Sequence, residues 1–333
     1  MKKVLFINNI SSVSFYIGEE LKKKGWDYEI FTPYRNYIVW SSGKTIVPKN
    51  KLSNYLLSDV NFKEFDMIHY NYPALLNSVT ARFKTLLYKK NFILHFHGSD
   101  LRWNGFSYFF RTLSSFKVHS VFYATPDLFY HLNFFKKRKT FLPNPIKPLK
   151  KIDCKEYDNK ILVFSRLEKE KGLRNLIPII KELKDYEFHF IDWVFDDGAL
   201  KKELPKNTKI IPKHPHDKIN ELLSKYKIIL GQYSPYGVFG LSELESMSMG
   251  KPTFFKWNKK FNSFYSSQVP VLEYNKENII ALMENKKERK KLGMKQKRWV
   301  LKEHSIKKIT KIVLNEYEFL LSGQNHGKQN ARH

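Results

Sequence analysis

Short apolar runs rich in β-branched and aromatic residues alternate with longer amphipathic stretches along this chain, and the alternation runs its course twice. A strand buried on both faces reads as a continuous apolar run, and a helical stretch between successive runs marks parallel βαβ units. In the first half the expected strands are residues 4–8, 28–32, 67–71, 92–97, 121–125 and 140–142. The pattern breaks at Pro143-Asn144-Pro145, and a polar, Lys-rich piece, 147–159, follows. The second half then restarts, with expected strands at 161–165, 187–191, 209–211, 227–231 and 252–255 and helices such as 173–183 and 216–225 between them. The chain is therefore expected to be α/β, with Rossmann-like domains at 1–146 and 160–303 joined by a linker at 147–159. Residues 286–321 read as helical. Their last part, 304–321, is expected to pack back on the first domain, and 322–333 to be a disordered tail.

A length of 333 residues suits two cores of the common ~150-residue size. Hydrophobic residues make up 42% of the chain, yet no run approaches the roughly 18 apolar residues of a membrane span, and the N-terminus lacks a secretion signal. A cytoplasmic protein is expected. Cys154 is the sole cysteine, which excludes an intramolecular disulfide and a Cys-based metal cage. Fifty-nine Lys and Arg against 32 Asp and Glu leave a net charge of +27, which points to an anionic partner: nucleic acid, acidic membrane or phosphorylated substrate. A solvated Lys coat accounts for part of it. No nucleic-acid-binding module is recognisable, so no nucleic-acid partner is expected.

Two stretches of the second half carry the chemistry. Ser165-Arg166-Leu167-Glu168-Lys169-Glu170-Lys171-Gly172 lies where a strand ends and a helix begins, the place where open α/β sheets bind ligands. Arg166 and Lys171 there suit a diphosphate, by charge-assisted hydrogen bonds beside a helix N-terminus, although a solvated charged loop reads the same. The second stretch, Gly237-Val238-Phe239-Gly240-Leu241-Ser242-Glu243-Leu244-Glu245-Ser246-Met247-Ser248-Met249-Gly250-Lys251-Pro252, sets glycines ahead of a short helix ending at Gly250. Bare amides near Gly240 and Leu241 would admit a ligand, and a carboxylate one turn into the helix would accept from ribose hydroxyls. A glycine-bounded packing helix is the alternative.

Together these stretches resemble glycosyltransferase family 4, whose C-terminal domain carries G/S-R-L-x-x-x-K-G and, some 70 residues on, E-x-F-G-L-x-x-L-E-A-M-A-x-G-K-P. His97-Gly98-Ser99-Asp100 resembles that family's H-G-S/T-D, and Leu142-Pro143-Asn144-Pro145 its interdomain P-N-G/P element. The resemblance covers about residues 1–321. It implies a GT-B fold, with two Rossmann-like domains facing each other across a cleft. It also implies a retaining, metal-independent hexosyltransferase that moves a sugar from a nucleotide-diphosphate donor to a lipid-linked or cell-surface glycan, in cell envelope glycan biosynthesis. No cofactor and no metal site are expected. Arg166 and Lys171 would hold the diphosphate, with the amides near Gly240 and Leu241 adding to donor binding, Glu245 would hold the ribose, and His97 the transferred sugar. In two places the chain departs from the pattern. Gly237 stands where the family has a Glu, a role that Glu243 is the candidate to fill, and Asn9-Ile10-Ser11-Ser12 replaces a Gly-Gly pair. A non-catalytic GT-B-like binding or scaffold subunit with a degenerate donor site is the alternative function.

Between Leu101 and Ile152 there are ten Lys or Arg, one acid and 13 aromatics. Arg111, Lys136, Lys137, Arg138 and Lys139 with neighbouring rings are therefore expected to form an acceptor or membrane patch, placing the protein peripherally on an anionic membrane surface.

Overall fold

The computed structural model describes residues 1–32, 45–73, 76–102, 118–133, 135–193 and 199–322. The chain divides into two compact units, Met1–Pro145 with Ile306–His333, and Ile146–Ser305.

In the first unit strands β1 (Lys2–Ile7), β2 (Trp26–Phe31), β3 (Thr45–Ile46), β4 (Met67–Asn71), β5 (Asn91–Phe96), β6 (Ser120–Tyr123) and β7 (Arg138–Phe141) form one sheet. Its order is β3-β2-β1-β4-β5-β6-β7, and every pairing is parallel. Burial explains the apolar runs: Val4 to Ile7 of β1 are solvent-free, and all five residues of β4 are buried, His69 and Asn71 included. The C-terminal helix Ile306–Leu321 belongs to this unit and sets Ile309, Val313 and Tyr317, spaced by four, into the core with Val4, Phe6, Ile17 and Tyr28. Its buried Glu316 is paired with Arg138 at 2.8 Å.

The second unit holds β8 (Lys160–Val163), β9 (Glu187–Ile191), β10 (Thr208–Ile211), β11 (Ile229–Leu230) and β12 (Thr253–Phe254), in the order β10-β9-β8-β11-β12, again parallel throughout. Each expected strand overlaps an observed one; β3, two residues long, is too short to leave a pattern in the sequence. The 147–159 stretch, read as a linker, is fastened to this unit. Leu149 and Ile152 donate their amides to Ser248 and Ser224 hydroxyls at 3.1 and 2.9 Å, and buried Lys251 ties Glu156 to the Ser224 and Tyr226 carbonyls. The second half of the Lys286 to Leu321 stretch changes unit at Ser305, after the helix Lys286–Glu303, whose first amides are capped by Asn285. Residues 323–333 of the expected tail lie outside the described residues.

Candidate functional site

In the second unit the chain leaves β8 through buried Ser165 and turns Arg166 to the surface, while Leu167 re-enters the core. Arg166 is paired with Glu168 at 3.0 Å, a contact between an exposed guanidinium and a largely covered carboxylate. Two 3-10 turns, Lys169–Lys171 and Leu173–Asn175, are separated by Gly172 at φ 68°. A Cβ on Gly172 would lie 2.0 Å from the Tyr233 carbonyl oxygen, so only glycine lets this loop press against the chain leaving β11. The contact is sealed by Tyr233 N donating to the Lys171 carbonyl at 2.9 Å, and Lys171 Nζ donates to Gln232 Oε1 at 3.0 Å.

Gln232 carries the connection onward. Its Nε2 donates to the Val238 carbonyl at 2.6 Å and its backbone amide to Glu243 Oε1 at 2.7 Å. Glu243 Oε2 accepts from the Gly240 amide at 2.7 Å and the Ser242 hydroxyl at 3.2 Å, which caps the helix Leu241–Met249. The two motif loops are thus one bonded chain: Lys171, Gln232, Glu243, Gly240.

This corrects two expectations. Glu243 is 1% exposed and both of its oxygens serve backbone donors, so it cannot stand in for the sugar-contacting carboxylate. The Gly240 amide is not bare, because Glu243 takes it at 2.7 Å; Leu241 and Ser242 are the first two residues of the helix that follows. Gly237 has a physical reason to remain glycine. Its φ is 63°, its carbonyl accepts from Asn258 N at 3.0 Å, and an added Cβ would approach the Asn258 Cβ to 2.8 Å. A Glu there would be strained and crowded.

Glu245, one turn into the same helix, is set apart from this chain. Its Oε1 is 2.6 Å from His216 Nε2, and this hydrogen bond raises the His216 imidazole above its ordinary range. His216 opens the 3-10 turn after β10. Gln232 and His216 are the site residues that sequence reasoning missed, since neither belongs to a motif and each is located only by the fold.

In the first unit His97 follows β5 and leads into the turn Gly98-Ser99-Asp100. Asp100 is solvent-free and accepts from the His97 amide at 3.0 and 3.1 Å and from the Gly98 amide at 2.7 Å; burial nonetheless pushes its carboxyl up to about 6. His97 Nε2 lies 2.9 Å from Asn71 Oδ1, which accepts, so that nitrogen carries the proton. Burial lowers the His97 imidazole to about 4, a hydrogen bond with Asn144 partly opposing the shift. Its ring lies 4.1 Å from that of His95, whose Nδ1 is 3.3 Å from His69 Nε2, and His69 Nδ1 reaches Tyr317 Oη of the C-terminal helix at 2.7 Å. Burial drives His69 down to about 3 and His95 well below the imidazole range. Three neutral histidines thus stand in a row behind the turn.

The loop after β1 shows what replaces the Gly-Gly pair. Asn8, Ser11 and Ser12 all take left-handed backbone, at φ 67°, 49° and 62°. L-residues adopt this region at a cost, Asn most readily. The Ser14 hydroxyl donating to the Asn8 carbonyl at 2.8 Å, and Asn71 Nδ2 to Ser14 Oγ at 3.1 Å, hold the loop and join it to the partner of His97.

Of the expected surface patch, Arg111 lies outside the described residues. Lys136 and Lys137 are exposed. Arg138 and Lys139 are turned to internal tasks: Arg138 pairs with Glu316 and covers the Phe319 ring at 4.7 Å, and Lys139 lies over Phe129 at 5.4 Å. Phe135 is buried. Lys136, Lys137, Arg138 and Tyr130 nonetheless stay exposed. No group of three or more His, Cys, Asp or Glu side chains gathers into a metal-binding cluster among the described residues.

Two parallel α/β units in one chain are the architecture of the GT-B class. Residues 149–299, the greater part of the second unit, match the family model described as Glycosyl transferases group 1. No curated protein sequence matches the chain. Among solved structures, sucrose-phosphate synthase from Thermosynechococcus elongatus superposes with a TM-score of 0.72 at 14% identity, covering 97% of this chain and 100% of that one. HepE of Anabaena, solved in complex with UDP, gives 0.70 at 12% identity, with coverage of 96% and 100%. AviGT4, a glycosyltransferase involved in avilamycin A biosynthesis, gives 0.62 at 12% identity, with coverage of 97% and 99%. At these identities the likeness concerns the fold.

Proposed function

We propose that this protein transfers a hexose from a nucleotide-diphosphate sugar to a lipid-linked or cell-surface glycan, with retention of configuration and without a metal. The observation that carries the reading is the bonded chain Lys171, Gln232, Glu243, Gly240, which draws the two motif loops together. Arg166 and Lys171 neutralise the diphosphate, and the Leu241 and Ser242 amides at the helix N-terminus add to them. Charge growing on the departing phosphate is stabilised by groups already in place. A donor phosphate oxygen then assists the acceptor hydroxyl on the same face of the sugar. Glu245 takes the ribose hydroxyls in exchange for His216. His97, neutral and fixed by Asn71 and Asp100, presents its uncharged ring to the transferred sugar. The family match of the second unit and the UDP bound by HepE support a nucleoside-diphosphate donor. A cytoplasmic location, where nucleotide sugars are used, goes with this reading.

The test is a panel of nucleotide-diphosphate sugars scored by thermal stabilisation, followed by transfer of labelled sugar in excess chelator. Stabilisation by at least one donor, with turnover that survives chelation, is expected. Stabilisation by a donor would argue against the non-catalytic reading with a degenerate donor site that Gly237 suggests, and transfer or hydrolysis of a donor would exclude it. No stabilisation at all would refute the donor site.

A further inference from the structure

The strongest feature outside the donor loops is a pair of adjoining helices in the first unit, Lys51–Leu56 and Leu76–Leu87, that are built inside out. A helix on a globular domain normally buries its apolar stripe and shows its polar face to water. Here the inward residues, Ala81 apart, are polar. Ser53 and Asn54 are buried in the first helix, where Asn50 and Ser53 form a reciprocal cap. Asn77, Ser78, Arg82 and Thr85 are buried in the second, with Asn77 accepting from Tyr70 Oη and Arg82 lying over the Phe92 ring at 5.3 Å. The outward residues are apolar: Leu52, Tyr55, Leu56, Phe83, Leu86 and Leu87, of which Phe83 is 65% and Leu87 73% exposed. Large exposed side chains scattered singly are ordinary, but six on two packed helices form a patch that marks an interaction site.

We propose that this face is a docking surface for an anionic lipid membrane. The charges choose the occupant. Residues 51–56 and 76–90 contain Lys51, Lys84, Lys89 and Lys90 and not one acid. Lys51 and Lys89 are exposed, while Lys84 is anchored by donating to the Leu57 carbonyl at 2.8 Å. Apolar side chains flanked by the exposed Lys51 and Lys89, with Lys90 held by donating to the Lys63 carbonyl at 2.9 Å, match the acyl and headgroup layers in turn, where lysine stems can follow apolar surface and set their ammonium groups at the phosphates. A second copy is the wrong occupant, because an isologous contact would set lysine against lysine. None of these side chains is among the residues given a role in sugar transfer, so the surface stands or falls separately from that reading.

Co-sedimentation of the full chain with vesicles tests it. The protein is expected to bind vesicles of equal parts phosphatidylcholine and phosphatidylglycerol at least about tenfold better than phosphatidylcholine alone, and salt is expected to weaken binding as the screening length shortens. Phe83→Ser with Leu87→Ser, and separately Lys51→Glu with Lys89→Glu, should each lower binding at least about tenfold while melting and turnover on a soluble acceptor stay at wild-type values. A dye on Leu87→Cys, in a Cys154→Ser background, should shift its emission to the blue on mixed vesicles. Wild-type protein left in the supernatant at low salt would overturn the proposal. So would undiminished binding by the Phe83 and Leu87 variant, which would assign the attraction to lysines elsewhere. Self-association of the wild type abolished by that variant would also overturn it, since a second copy would then cover the face.

Discussion

The two units prepare their polar groups in opposite ways. In the first, His69, His95, His97, Asn71 and Asp100 are gathered behind the ends of β1, β4 and β5 with their charges suppressed, the imidazoles driven down and the Asp100 carboxyl up. In the second, Arg166, Lys171, Glu243, Glu245 and His216 stand in ion pairs or charged hydrogen bonds. The first arrangement suits neutral hydroxyl groups, where direction matters and net charge would only add desolvation cost. The second suits an anion, whose arrival exchanges one counter-charge for another. The contrast also separates two carboxylates two positions apart on one helix: Glu243 holds the site together, and Glu245 faces a replaceable partner.

The sharpest way to break this contrast is Glu243→Ala. It leaves the buried amides of Gln232 and Gly240 without acceptors, a loss of about 3–5 kcal/mol for a buried charged hub. The second unit should melt lower by about 6–20 °C, with the first unit unaffected. A change below ~2 °C would mean that Glu243 is not structural. Next in size, Lys171→Ala should reduce transfer at least ~100-fold, since one preorganised donor to developing charge is worth about 3 kcal/mol, with melting close to wild type. Near wild-type turnover by the folded variant would remove Lys171 from the leaving-group site.

How far these roles are visible in the sequence depends on the distance over which they are defined. Strand β1 is legible because Val4 to Ile7 are buried on both faces and the run is continuously apolar, and the motif loops because their residues are contiguous. Glu243 and Glu245 look equivalent as letters. The spacing Gly240-x-x-Glu243 is that of a capping box and is the local signal that separates them. His216 lies 29 residues from Glu245 and meets it only because the chain leaves β10 beside that helix. The basic run 136–139 looks like a surface patch, yet Arg138 opens strand β7 and its partner Glu316 comes from the other end of the chain. The inverted helices escape a reading that expects apolar stripes to face inward, because period alone does not say which face is buried.

The third effect concerns acid. A buried imidazole whose folded value is depressed contributes stability above its unfolded value of about 6.5 and loses it as pH falls below that value. For His69, held at about 3, the loss between pH 7 and pH 5 is about 2 kcal/mol, and His97, at about 4, adds a similar amount. Asp100 acts in the other direction: its carboxyl, raised to about 6, takes up a proton in the folded state and returns about 1 kcal/mol over the same interval. With His95, driven well below the imidazole range, acting in the same direction, the first unit should therefore become less stable by at least roughly 3 kcal/mol at pH 5, measured by urea unfolding with a probe in that unit. A flat profile would show that these histidines are not held neutral.

The smallest effect has the opposite sign and belongs to the second unit. His216 gains Glu245 as a partner, and its folded value is raised, so the pair contributes stability that is fully present below the unfolded imidazole value of about 6.5. That contribution disappears as pH rises through the folded value. The imidazole is a third exposed, and solvent screening holds the contribution below about 1 kcal/mol. Melting of the second unit should accordingly fall by about 1–2 °C from pH 6 to pH 8, and His216→Asn should remove that slope. Glu245→Gln should remove it too, and should also weaken nucleoside-diphosphate binding, because the same oxygen is proposed to receive the ribose. A variant that flattens the pH dependence while leaving nucleotide affinity untouched would confine Glu245 to pairing with His216 and detach it from the donor site.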